Sequence, residues 1–180
     1  GFTEGYYYKP RVDYAVLEKY HEGIIALSAC LAGEVSRALR EGNYEKAKEA
    51  ALHYEGIFGK GNFFLEMQDH GYPEQKLVNQ GMRRLHEETG IPLVVTNDIH
   101  YTYKEDAKPH DILLCLQTGK KLQDEDRMRY PGGQFYIKSE EEMRTLFPYE
   151  EEALENTEKI AKRCQVEIRF GEYHLPKYAV

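Results

Sequence analysis

IPLVVTNDIHYT, residues 91–102, is an apolar run that breaks off on a polar turn, with Asp98 and His100 two positions apart. Pro92 to Val95 reads as a short strand buried on both faces. In an extended segment, side chains two apart face the same side. The Asp98 carboxylate and the His100 imidazole therefore converge on one spot at the end of the strand.

Two upstream segments read the same way, GIIALSA at 23–29 and NFFLEMQD at 62–69. Helical patterns separate them. Leu31, Val35, Ala38 and Leu39 recur at helical spacing before a stop at Gly42. Asn43 then caps a longer helix whose stripe is Tyr44, Ala47, Ala50, Ala51, Tyr54 and Phe58, ending at Gly59. After the turn HGYPEQ, a helix turns Leu77, Val78, Met82 and Leu85 inward and closes at Gly90. Strands joined by helical crossovers pair in parallel, so the fold class is α/β with right-handed connections.

The flanks are less regular. GFTEGYYYKPRVD reads as irregular until Asp13 caps a helix over 14–20. Pro109 suits the first turn of a helix running through DILLCLQT to Gly119. The segment 119–134, GKKLQDEDRMRYPGGQ, has no period and exceeds the usual loop length, which marks it as functional or mobile. Ser139 with Glu142 forms a capping box for a helix to Phe147. Ala153, Leu154, Thr157, Ile160, Ala161 and Cys164 make a last helical stripe, and FGEYHLPKYAV is an extended exit. With no repeat or linker, residues 1–180 form a single domain.

Composition narrows the functional classes. A net charge of -7 opposes wholesale wrapping of nucleic acid, which needs Lys and Arg to neutralise phosphates. No apolar run approaches the roughly 18 residues of a membrane span, so no membrane partner is expected. Three widely spaced cysteines and no CxxC pair point to the reducing cytoplasm. Phosphate loops, nucleophile elbows and HExxH helices are missing from the sequence.

Ligands of α/β sheets bind where strands end at their carboxyl side. Asp98 and His100 lie there, as does Cys30 after the first strand. Carboxylate, imidazole and thiolate together are metal donors biased toward zinc. The alternative is local: Asp98 caps a turn, His100 satisfies its own hydrogen bond, and Cys30 is a small buried hydrophobe. His70, after the second strand, is a further rim residue. Cys115 and Cys164 read as core, His53 and His86 as helix surface, and His110 as close to a helix start. Lys120, Lys121, Arg127 and Arg129 form a candidate nucleic-acid contact, set against a mixed-charge loop through Asp124, Glu125 and Asp126.

The blocks EGYYYKPRVD, GIIALSACLAGEV, FFLEMQDHGYPEQ, PLVVTNDIHY, LLCLQTGKKL, FYIKSEEEM and FGEYHLPKY, in that order, resemble the polymerase and histidinol phosphatase (PHP) domain of bacterial replicative DNA polymerase III alpha subunits. The resemblance runs nearly end to end. It implies part of a distorted parallel β/α barrel, incomplete in this fragment, with metal ligands at the strand ends. Carried over by position, Cys30, Asp98 and His100 are ligands of a divalent metal, zinc or manganese, and none is a nucleophile.

The family's earlier ligands, including an HxH motif, have no counterpart here. The expectation is therefore an excised carboxyl-terminal part of the domain, holding metal weakly or not at all and with little activity alone. In the intact protein the resemblance implies a metal-dependent phosphoesterase or 3'-5' exonuclease, or its remnant. The alternative is a structural module that braces the polymerase or docks a proofreading exonuclease subunit. The implied partners are the rest of the alpha subunit and, through the full-length protein, DNA. A small-molecule metallohydrolase is the reading left if the resemblance is set aside.

Overall fold

A computed structural model describes residues 1–173 and 175. In chain order, a minimal antiparallel hairpin, β1 (Tyr6–Tyr7) and β2 (Lys9–Pro10), precedes α1 (Tyr14–Tyr20), β3 (Ala26–Leu27), α2 (Glu34–Arg40) and α3 (Tyr44–Phe58). Then come β4 (Phe63–Met67), α4 (Pro73–Thr89), β5 (Leu93–Val95), a 3-10 turn at Lys104–Asp106, α5 (Ala107–Thr118), α6 (Glu140–Leu146) and α7 (Glu151–Arg163). The last stretch, FGEYHLPKYAV, falls partly outside the described residues, which include neither His174 nor 176–180.

The sheet runs β3-β4-β5, parallel throughout, as the alternation of apolar runs and helices requires. Among the described residues the parallel strands number three, so the α/β class holds at the level of a mixed domain with a small parallel sheet. Central β4 places Phe63, Leu65 and Met67 in the core with Ala47, Ala51, Val78, Met82, Leu85 and Ile91. Helices α2, α3 and α4 pack together, and α7 packs against β5.

Local chemistry explains the helix ends. Asp13 and Asn43 accept hydrogen bonds from the N–H groups of Val16 and Lys46, at 2.9 Å and 3.1 Å, relieving donors left unpaired in a first turn. Ser139 and Glu142 form the reciprocal capping box. Gly90 and Gly119 end α4 and α5 in the left-handed conformation.

Two helical stripes differ from expectation, and the sheet is the reason. Leu77 of α4 is 51% exposed, while Gln75 and Asn79 are buried in its place. Both amides point at the strand ends, where Asn79 donates to the Gln68 carbonyl at 3.0 Å and Gln75 holds His70. On α7, Asn156 is buried because it donates to the Leu93 carbonyl, 2.7 Å away, which edge strand β5 would otherwise leave unpaired. Thr157, Ala161 and Cys164 are exposed. The helix stops at Arg163 and Cys164 is extended, so the expected core role of Cys164 is replaced by an exposed free thiol. Cys115 is buried as expected.

Candidate functional site

Parallel pairing brings the exits of all three strands to one edge of the sheet. The chain leaves β3 through Ser28, Ala29 and Cys30, β4 through Gln68, Asp69 and His70, and β5 through Thr96, Asn97 and Asp98. Two of these turns hold non-glycine residues in the left-handed region, Ala29 at φ 65° and Asp98 at φ 33°. Such backbone persists only where surrounding bonds over-determine it, and it concentrates at functional sites. The Cys30 turn is further tightened by Gly33, where a Cβ atom would collide with the Ser28 carbonyl.

The bonds that hold these turns meet at Glu66 of β4. Its backbone N–H donates to the Ser28 hydroxyl at 2.8 Å. One carboxylate oxygen accepts from the Ala29 N–H at 3.1 Å. The other accepts from Gln68 Nε2 at 2.9 Å and from the Thr96 hydroxyl. A charged side chain inside a continuous apolar strand is unusual. That oddity in NFFLEMQD was the available signal for Glu66, which the reading of the sequence did not take up.

Asp98 and His100 do come together. Oδ1 lies 3.4 Å from Nε2, with the side chains 37% and 29% exposed, so both keep donor atoms open to a ligand. The His100 ring lies against Tyr130, Phe135 and His110, with centroids 4.4, 5.4 and 5.7 Å away. Burial, and then the neighbouring His100, lower the His110 pKa and favour its neutral ring.

The aperiodic loop and the residues after it supply the other wall. The Phe135 carbonyl accepts from the backbone N–H groups of His100 and Tyr101 at 2.8 and 3.2 Å, and Ile137 donates to the Thr102 carbonyl. Asn97 donates to the Tyr136 carbonyl at 2.6 Å and accepts from Lys138 Nζ at 3.1 Å. Burial lowers the Lys138 pKa, against the pull of Glu142 and Asp69. No periodicity could announce this, because the segment is ordered by backbone bonds to a distant strand end.

His70 differs from its expected place as an open rim residue. Its side chain is buried and stacked flat on Phe135, at 4.1 Å and 3°. Gln75 donates to Nδ1 at 2.9 Å while Nε2 donates to the Asn97 carbonyl at 3.0 Å, a pairing that fixes the neutral Nε2–H tautomer. Burial lowers its pKa.

Cys30 stands apart from the Asp98 and His100 pair. It lines a small cavity of mixed character with Leu31, Val78, Glu66, Gln68, Gln75 and Asn79, and the Gln68 Oε1 is buried without a protein partner. Among the described residues, no three His, Cys, Asp or Glu side chains cluster closely enough to hold a metal ion. The donor types suit a zinc-like ion, and Asp98 with His100 offers two donors on one spot. The third donor type, the Cys30 thiol, lies on the turn after β3, with central β4 between it and the turn after β5.

The basic loop is less free than its sequence suggests. Arg127 makes a two-pronged bond to Asp111, at 2.5 and 2.7 Å, with its side chain 6% exposed. It is therefore a structural strut between the loop and α5, and its guanidinium is turned inward. Arg129 donates to the Asp124 carbonyl at 2.8 Å, and Lys120 lies 3.9 Å from Asp126. Lys120 and Lys121 are exposed.

A parallel α/β core with a carboxylate, an imidazole and a thiol at its strand ends is the setting of a PHP domain, and residues 1–70 match that family. The match takes in β3, the Cys30 turn and β4. The whole chain is similar to DNA polymerase III subunit alpha of Deinococcus radiodurans, at 44% identity over 100% of this chain and 14% of that protein. It is also similar to the subunits of Treponema pallidum, at 45% over 99% of the chain and 15% of the relative, and Campylobacter jejuni, at 43% over 98% and 16%. The chain belongs to the PHP region of the DNA polymerase III alpha subunit family. It spans about a seventh of the length of these relatives.

Proposed function

We propose that this chain works within a replicative DNA-directed DNA polymerase, in the cytoplasm, as part of a PHP domain that hydrolyses phosphodiesters from a 3' end. The observation that carries this reading is the side-by-side placement of Asp98 and His100 on a strained turn at the carboxyl edge of a parallel sheet. In the longer protein the sheet would continue into a distorted barrel, and the rest of the alpha subunit would be its first partner. No helix of the described residues is long and apolar enough to cross a membrane.

Asp98 and His100 would hold a divalent metal, zinc or manganese, with Cys30 and with donors from elsewhere in the full-length protein. A metal bound there acidifies water and neutralises charge on a phosphoryl oxygen. The chain's own residues orient the donors: Asn97 and Phe135 fix the backbone on which Asp98 and His100 stand. DNA would approach from the rim, with Lys120 and Lys121 exposed at the start of the loop that Arg127 braces.

The test is 3'-5' exonuclease activity of the full-length protein with and without Asp98→Asn. Loss of about 100-fold or more is expected, with polymerase activity retained. Unchanged metal-dependent degradation would remove the catalytic assignment. A second reading, a structural module that braces the polymerase or docks a proofreading subunit, is favoured by the separation of Cys30 from the other two donors. That reading gains if Asp98→Asn leaves degradation untouched yet weakens association with the proofreading subunit.

A further inference from the structure

We infer that Glu66 is a positioning residue that sets the spacing between the Cys30 turn and the Asp98 and His100 turn. The inference rests on the reading of those three residues as donors to one metal site. Glu66 sits on the central strand, and its side chain bonds both neighbouring strand exits. One oxygen fixes the amide of Ala29, the strained residue immediately before Cys30, at 3.1 Å. The other fixes the hydroxyl of Thr96, two residues before the strained Asp98. Gln68 reinforces the second arm by donating from one Nε2 to both Glu66 and Thr96, at 2.9 and 3.1 Å.

A carboxylate suits this network as it stands. Glu66 accepts from three donors spread over two oxygens, and an ionised carboxylate has acceptors on both. A glutamine of the same shape has one acceptor oxygen, so it holds both turns only if the Thr96 hydroxyl and the Gln68 amide reverse their donor and acceptor roles. An apolar replacement abandons both and leaves the Ala29 N–H without its partner. With its Nε2 committed to this network, Gln68 keeps a buried Oε1 without a protein partner.

Supporting groups of this kind typically alter metal affinity by about 10- to 100-fold when removed. The experiment loads full-length protein with Co(II) and follows the thiolate-to-cobalt charge-transfer band during titration, for wild type, Cys30→Ser, Glu66→Gln and Glu66→Ala. Wild type gives the band and Cys30→Ser removes it; if Cys30→Ser leaves the spectrum unchanged, the shared metal site itself is wrong. With that established, Glu66→Gln is expected to weaken Co(II) binding about tenfold and Glu66→Ala further, with an unchanged circular dichroism spectrum. Binding within twofold of wild type in Glu66→Gln overturns the role of Glu66. If Glu66→Ala fails to fold, the isosteric Glu66→Gln decides alone.

Discussion

The body of the molecule and the rim of its sheet are built by different physics. In the body, β4 and helices α2, α3 and α4 interlock through side chains that are almost wholly withdrawn from water, such as Ala47, Ala51, Leu65, Met82 and Leu85. At the rim, order comes from hydrogen bonds between segments far apart in sequence: Glu66 to Ala29 and Thr96, Asn97 to Tyr136, Phe135 to His100. Burial is non-directional and tolerates small shifts, whereas a hydrogen bond fixes an atom. The rim can therefore hold left-handed turns at Ala29 and Asp98 that packing alone would not maintain.

This contrast can be broken at either end, and the body should give the larger effect. Leu65→Ala leaves a cavity in the middle of β4, where the side chain has no exposure, and should cost about 2–5 kcal/mol. Hydrogen exchange of the full-length protein would show faster exchange throughout β4 and β5 together. Asn97→Ala should cost less, about 1–3 kcal/mol, because it removes the bonds to Tyr136 and Lys138 without opening the core. Its signature is local: the His100 and Tyr101 amides bound to Phe135 exchange faster while β4 is unchanged. Uniform change in both variants would mean that body and rim unfold as one unit.

The same contrast decides what the sequence made legible. Parallel strands, the capped starts of α1, α3 and α6, and the glycine ends of α4 and α5 arise from periodicity and local chemistry, and each was readable. Asp98 and His100 were readable as a pair because spacing by two on a strand is also local. Buried Gln75, Asn79 and Asn156 were not, since each is placed by a carbonyl or imidazole that only the assembled sheet presents. The pairing of Arg127 is unreadable for the same reason: its partner, Asp111, lies across the loop on α5. Glu66 was the missed opportunity, an acidic residue whose misfit in an apolar strand pointed to work at the strand ends.

A milder perturbation separates the regions without deleting any side chain. His70 is buried between Phe135 and the amides that hold it, and burial lowers its pKa below the usual value near about 6.5. As pH falls through about 6.5, the unfolded chain takes up a proton that the folded rim refuses, so stability declines until the folded pKa is passed. Above that window both states are neutral and the contribution is flat. Exchange of the Phe135-bound amides, corrected for intrinsic rates, should therefore quicken as pH falls below about 6.5. The body carries no such buried histidine among the described residues, so β4 should lag behind the rim in that window. A His70→Gln variant should show a flat profile at the rim, and a profile still sloping like wild type would assign the effect to another group.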